Sequence, residues 1–87
     1  MTTFEQKYHL EVYEIDWVND PSISWSSNYL FPSIAVGDYF EHRAYNRWQT
    51  ELKKDERFIV KEIKHIFWEE TDSVCHKLMV LLDIVSS

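Results

Sequence analysis

The chain has 87 residues, with 9 basic and 15 acidic side chains and a formal net charge of −6. This length predicts one domain spanning residues 1–87. The acidic balance argues against a protein that coats nucleic acid, and a single cysteine excludes an intramolecular disulfide and a multi-cysteine metal site.

The sequence gives no sign of a membrane or secretory segment. No stretch approaches about 20 consecutive apolar residues, so we expect no membrane span. The first residues contain no apolar run resembling a signal peptide. Cysteine use without disulfides fits a reducing compartment, and we therefore expect a cytoplasmic protein.

The first predicted strand covers residues 4–17. Apolar and polar residues alternate from Tyr8 to Val12, and the alternation then shifts by one position so that Tyr13, Ile15 and Trp17 share a face. A β-bulge near Val12-Tyr13 would bring both halves to the same side. A strand this long and bent suits a sheet that curls on itself.

Residues 18–33 are predicted to form a loop, because Asn19-Asp20-Pro21 is a turn signal followed by several serines. The segment is nevertheless rich in aromatic residues, with Trp25, Tyr29 and Phe31. A long loop with this much aromatic surface is seldom a plain connection. It either packs over an open end of the sheet or presents a binding surface.

The next segment, residues 34–42, resembles a second strand with a bend at Gly37. The alternative is a helix beginning at Asp38, which would put Phe40, Trp48 and Leu52 on one stripe. We predict a strand that ends at about residue 42, followed by a short helix or irregular loop over about 44–54. Trp48 would be a core residue in the helix and could be partly exposed in the loop.

Residues 58–85 read as a long hairpin. One face of the second strand is wholly apolar, with Leu78, Val80, Leu82 and Ile84 at every second position. The same leucines also fit helical spacing, but β-branched and aromatic residues dominate the run from Phe58, which favours strands.

A tight turn centred on Thr71-Asp72 gives the predicted register of this hairpin. It places Phe67 opposite His76, His65 opposite Leu78 and Ile63 opposite Val80. The turn lacks Gly and Asn, so a longer loop and a slip of one or two residues stay open. A bulge near Lys61-Glu62 would return Val60 to the core side.

These elements predict a mainly β fold, with a β-rich α+β fold as the alternative. We expect a small antiparallel curled sheet or an SH3-like open barrel of 4–5 strands. Such a fold analogy carries no function by itself.

No catalytic or metal-binding motif stands out. His65, His76 and Cys75 could approach one another in the hairpin, but neighbouring strand residues point to opposite faces, so Cys75 and His76 do not form a nucleophile–base pair. The single glycine cannot build a phosphate-binding loop. We therefore predict a non-enzymatic protein with no catalytic residue, metal ligand or cofactor.

The excess of aromatic residues favours a protein-binding or adaptor module. Trp, Tyr and Arg dominate the energetics of protein interfaces. The partner could be a second copy of the chain, since a small open sheet has exposed edges. The candidate interface residues are Trp25, Tyr29, Phe31, Tyr45, Arg47 and Trp48.

Two other functions remain open. Residues 43–57 combine basic and aromatic side chains, the combination that holds single-stranded nucleic acid. The acidic remainder of the chain would instead suit an inhibitor or nucleic-acid mimic that binds a basic partner.

Overall fold

The computed structural model describes residues 5–86, which form five strands and no helix. They pair in the order β2-β1-β5-β4-β3 and curl into a half-barrel. The strands are β1 (Glu5–Glu14), β2 (Ile23–Ser27), β3 (Tyr39–Phe40), β4 (Glu56–Glu70) and β5 (Ser73–Ser86). The predicted mainly β curled sheet is confirmed, and the segment 44–54 is an irregular loop.

The sheet is mixed, so the prediction that all strands are antiparallel is wrong for one pair. β1 and β5 run parallel, whereas the other three pairs are antiparallel. Parallel neighbours need a crossover of at least about a dozen residues. Here the chain between β1 and β5, including β2, β3 and β4, provides it.

The hairpin of β4 and β5 has the predicted register. Phe67 lies opposite His76, His65 opposite Leu78 and Ile63 opposite Val80. The register shifts once, between Val60 and Glu62, which is the predicted bulge. Turn residues 71–72 join the strands, so the tight turn is confirmed and neither the longer loop nor the slipped register occurs.

The bulge predicted at Val12-Tyr13 is wrong. β1 pairs with β5 without interruption from Glu5 to Glu14, so strict alternation carries Glu14 to the inner side. The predicted start at residue 4 lies outside the described residues. The strand ends at a γ-turn, in which the Asp16 N–H donates to the Glu14 carbonyl at 2.8 Å across Ile15, whose φ is 71°.

Two other segment predictions need correction. The predicted loop 18–33 contains β2, which pairs Ile23 with Val12 and Trp25 with Leu10. Serines alternate with these apolar residues, so a period of two was present in a segment that looked like a loop by composition. The predicted strand 34–42 shrinks to β3, because the chain turns at Gly37, whose φ of 97° suits glycine.

The buried core lies on the inner face of the sheet. Partly buried side chains from the long segment between β2 and β4 pack over this face, which supplies the second layer that a sheet needs. The core consists of Leu10, Val12, Ile23, Phe58, Val60, Val80 and Leu82, and the covering side chains include Phe31, Ile34, Phe40, Tyr45, Trp48 and Leu52.

Within residues 5–86 there is no helix of the length and hydrophobicity needed to cross a membrane.

Candidate functional site

An apolar cleft of about 310 Å³ opens between β2 and the covering segment. Leu10 and Ile23 contribute from neighbouring strands. Aromatic side chains make up much of its lining, namely Trp25, Phe31, Phe40, Tyr45 and Trp48. The sheet therefore supplies a rigid side, and the covering segment supplies most of the aromatic surface.

The aromatic rings form a chain of contacts from the rim of the cleft to the core. The rings of Trp25 and Tyr45 meet edge to face, with centroids 6.4 Å apart and planes at 87°. Tyr45 meets Trp48 at 5.1 Å, and Trp48 contacts the buried Phe58 at 4.8 Å. Edge-to-face pairs add to the stabilisation that burial provides, so the cleft is held in shape by the core.

The polar atoms of these rings are bonded away from the apolar space. The Tyr45 hydroxyl donates to the Ser22 carbonyl at 2.7 Å, and the Trp48 Nε1–H donates to the His42 carbonyl at 3.0 Å. Both bonds satisfy groups that would be costly to bury alone. They also fix the rotation of each ring.

The carboxylate of Glu14 anchors the covering segment to the sheet. It is only 7% exposed, and it accepts the backbone N–H groups of Gln49 and Thr50 at 2.8 and 2.7 Å and the hydroxyl of Ser22. Burial acts to raise the pKa of Glu14, but the hydrogen bonds from these three residues outweigh it and the pKa is lowered. A charged Glu14 thus holds the backbone at Gln49 and Thr50, directly after Trp48.

One ion pair lies at the rim of the cleft. The guanidinium of Arg43 donates to both carboxylate oxygens of Glu41, at 2.9 and 3.0 Å. These bonds from Arg43, together with its backbone N–H and its charge, lower the pKa of Glu41 to about 2. The carboxylate that the described residues contribute to the lining is therefore already paired.

The structure brings together four of the six predicted interface residues. Trp25, Phe31, Tyr45 and Trp48 all line the cleft. Trp25 is 51% exposed, whereas Phe31, Tyr45 and Trp48 pack against the core. Trp48 is partly buried although its segment is not helical.

The other two predicted residues lie apart from the cleft lining. Tyr29 is 82% exposed, and Arg47 is also exposed. Neither side chain contributes to the walls of the cleft. Both are therefore free surface groups rather than parts of this site.

Sequence reasoning missed both the strand side of the cleft and its anchor. Ile23 belongs to β2, which the serine-rich composition disguised as a loop. Glu14 was missed because a bulge was assumed before it, although uninterrupted alternation from Leu10 and Val12 puts it on the inner side. The sequence signal for this anchor was Glu14 itself, a carboxylate at a position where the alternation of β1 predicts an inward-facing side chain.

A second groove, of about 370 Å³, runs along the basic segment. The guanidinium of Arg57 lies over the exposed ring of Tyr39, 4.8 Å from its centroid. Basic and acidic side chains nearly balance in its lining, which contains Arg43, Lys54, Arg57, Glu41, Glu56 and His42.

Two histidines meet on the hairpin. His65 Nδ1 and His76 Nε2 are 2.9 Å apart, although the residue directly opposite His65 in the hairpin is Leu78. Burial, followed by the nearby His65, lowers the pKa of His76. Within residues 5–86, no three His, Cys, Asp or Glu side chains converge as metal ligands would. Cys75 is buried.

No family model, curated protein or solved structure matches this chain.

Proposed function

We propose that this protein is a non-enzymatic protein-binding module whose apolar cleft receives a hydrophobic side chain of its partner. The observation that supports this proposal is the cleft itself, a concave space of about 310 Å³ with almost wholly apolar walls. Binding pockets fall in the range of about 300–1,000 Å³ and are lined mainly by apolar and aromatic side chains. The volume is at the lower end, which suits one anchoring side chain.

Trp25 is the residue in the lining best placed to contact a partner. Half of its surface is exposed, and its ring is backed by Tyr45. A tryptophan that is supported from behind and open in front is typical of residues that dominate binding energy. Tyr45 and Trp48 instead form the rigid base of the cleft.

A catalytic role is not part of the proposal. Among the described residues that line the cleft, Glu41 is the one carboxylate, and its bonds to Arg43 lower its pKa to about 2. A general acid or base works best when its pKa lies near the working pH. The SH3-like form of the sheet stays a prediction, and so does cytoplasmic location.

Single-stranded nucleic-acid binding is the second candidate. The stack of Arg57 on exposed Tyr39 supports it, because cation and aromatic side by side are typical of such sites. It predicts retention on single-stranded DNA or RNA that weakens steeply with salt. The idea of an acidic mimic predicts salt-sensitive binding to a basic protein instead.

Selection of peptides from a random library displayed on phage tests the first proposal. We expect enriched peptides to share one aromatic or aliphatic anchor. Trp25→Ala should weaken their binding about tenfold, which corresponds to about 1.4 kcal/mol. Tyr29→Ala is the matched control and should leave binding unchanged, since Tyr29 is exposed outside the cleft. Failure to enrich any peptide, or equal effects of the two variants, would contradict the proposal.

A further inference from the structure

β4 has a long edge that no strand formed by residues 5–86 covers. β3 pairs only with Phe58 and Ile59. The chain just before β3 reaches Val60, where the Gly37 N–H donates to the Val60 carbonyl and the Val60 N–H donates to the Asp38 carbonyl, both at 2.8 Å. Beyond this point, no strand of the described residues lies beside the edge of β4 from residue 61 to residue 70.

The peptide groups that face this edge can be identified from the pairing. The Ile15 N–H donates to the Leu82 carbonyl, so the even-numbered residues of β5 direct their peptide groups toward β1. In an antiparallel pair, opposite residues alternate between pairs that bond to each other and pairs that do not. The β4 residues opposite the even-numbered residues of β5 belong to non-bonded pairs, so their N–H and C=O groups point to the free edge. These partners are Ile63, His65, Phe67 and Glu69.

The free edge is apolar at its centre. Ile66 is 43% exposed and Phe67 is 68% exposed, and Trp68 follows them. Natural edge strands are usually protected by proline, by bulges or by charges along the strand. Residues 62–70 contain no proline, and the bulge lies at the base of the strand. The charged side chains Glu62, Lys64, Glu69 and Glu70 flank a centre, residues 65–68, that contains no Asp, Glu, Lys or Arg. A long edge of this kind is suited to pairing with another strand.

We propose that the occupant of this edge is β4 of a second copy. The two β4 strands pair antiparallel about a two-fold axis that passes midway between the two copies of Phe67, which lie directly opposite each other. The axis is perpendicular to the sheet, so each face of one sheet continues into the same face of the other. Lys64 then lies opposite Glu70 of the second copy, and Ile66 lies opposite its Trp68. Opposite charges and apolar pairs across strands are each stabilising.

The side chains of the charge pair are available for this contact. Those of Lys64 and Glu70 are about half exposed. Within its own chain the Glu70 carboxylate lies 4.0 Å from Lys7 Nζ and accepts the Trp68 Nε1–H at 3.3 Å and the Ser73 hydroxyl at 3.4 Å. In one chain Lys64 lies 4.5 Å from the ring centroid of Trp17 and 3.7 Å from a Glu62 oxygen. Both are surface contacts, which are worth little and do not hold the lysine in place.

The two registers centred nearer the bulge, on His65 and on Ile66, are less favourable. Centring the pair on His65 would place Glu70 of the second copy at Val60, whose edge groups Gly37 and Asp38 already occupy. Centring it on Ile66 would place Glu62 opposite Glu70, and like charges directly opposite are destabilising. The register through Phe67 avoids both conflicts within the strand and pairs outward-facing residues, such as His65 with Glu69 of the second copy. It places Glu62 opposite Asp72, which lies in the turn beyond the end of β4.

This inference goes beyond the apolar cleft, because the edge of β4 and the cleft share no residue. Trp25→Ala should therefore leave dimerisation unchanged. Loss of peptide binding would not disturb the dimer, and a monomeric protein could still bind peptides. The two proposals can thus fail separately.

Disulfide trapping tests the register. In a Cys75→Ala background, Phe67→Cys should form a cross-linked dimer under mild oxidation, because directly opposite residues of a bonded pair lie about 5.5 Å apart, within disulfide reach. His65→Cys is the matched control. In this register the two copies of residue 65 are four residues out of step, about 13 Å apart, and should stay uncross-linked.

Charge reversal tests the same register without cysteines. Light scattering after size exclusion, from low micromolar to several hundred micromolar protein, should show a dimer. Lys64→Glu and Glu70→Lys should each weaken it about tenfold, because two pairs per dimer become repulsive. The double variant should return to within about threefold of the parent. Far-ultraviolet circular dichroism confirms that each variant is folded.

Three results would overturn the proposal: a monomer throughout this range, cross-linking at residue 65 instead of 67, or a double variant no tighter than the single ones. A monomer that captures an extended peptide at this edge would show that the partner is a different chain.

Discussion

The carboxylate of Glu14 accepts the backbone N–H of Thr50 at 2.7 Å, joining the end of β1 to a loop 36 residues further along the chain. Gln49 makes a second such bond at 2.8 Å. This segment also contains Tyr45 and Trp48, so one buried carboxylate positions the aromatic base of the cleft.

Replacement of Glu14 by Gln should therefore destabilise the protein. Hydrogen bonds to charged groups contribute about 1.5–3 kcal/mol, and an amide oxygen replaces only part of that bonding, so we expect a loss of about 2 kcal/mol in the free energy of unfolding. Urea denaturation measures it. Glu51→Gln, at an exposed position away from the edge of β4, is the control and should change stability by less than about 0.5 kcal/mol. Equal stability of the two variants would contradict the anchoring role.

The lowered pKa of Glu14 also predicts an acid dependence of stability. A carboxyl group whose pKa is lower in the folded than in the unfolded chain stabilises the fold above its usual pKa of 4.5. That contribution disappears as the pH falls below 4.5 and through the lowered pKa. The difference in melting temperature between the parent and Glu14→Gln should therefore shrink across this range. A difference in melting temperature that stays constant from pH 7 to pH 3 would contradict a lowered pKa of Glu14 in the folded protein.

His76 should titrate below its usual pKa of 6.5 because it is partly buried and lies beside His65. Its neutral form is favoured in the fold, so its contribution to stability is present above pH 6.5 and is lost as the pH falls through the lowered pKa. NMR titration of the ring protons measures this pKa. In His65→Gln the pKa of His76 should rise yet stay below 6.5, since burial is the larger cause. An unchanged pKa in this variant would exclude the effect of His65.

Trp48 and Trp25 should respond differently to truncation. Trp48 packs on the buried Phe58 and donates a hydrogen bond to His42, so Trp48→Ala should cost about 3 kcal/mol or more. Trp25→Ala should cost less than about 1 kcal/mol, because half of the side chain is already exposed. Thermal melts of both variants make the comparison. A melting temperature of Trp48→Ala close to that of the parent would show that Trp48 is not part of the core.

The thiol of Cys75 should be protected in the folded protein. It is fully buried, with the Ser73 hydroxyl 3.9 Å from its sulfur. A thiol reagent can therefore reach the sulfur only after unfolding. The rate of labelling should increase with urea concentration as the unfolded fraction grows. Rapid labelling in the absence of denaturant would show that this part of β5 opens locally.

The sequence by itself determined the hairpin. Leu78, Val80 and Leu82 alternate with a strict period of two, and a slip of one residue would move all of them to the wrong face. A tight turn at Thr71-Asp72 predicted the pairing of Ile63 with Val80, with a slip of one or two residues as the alternative, and the structure has the predicted pairing. Even the bulge beside Lys61 followed from the need to return Val60 to the core. These are local constraints, which a single pass along the chain can find.

Only the tertiary structure decided how the remaining chain covers the sheet. Parallel pairing of β1 with β5 depends on residues more than 60 positions apart, as in the pairing of Leu10 with Leu78, and no local pattern encodes it. Trp48 is held on the core without a helix, because Glu14 bonds the neighbouring backbone and Phe58 supplies the contact surface. Propensity for a helix over 44–54 was too weak to compete with those long-range bonds. The cleft follows from this packing, since its aromatic residues were visible in the sequence but their convergence required the folded chain.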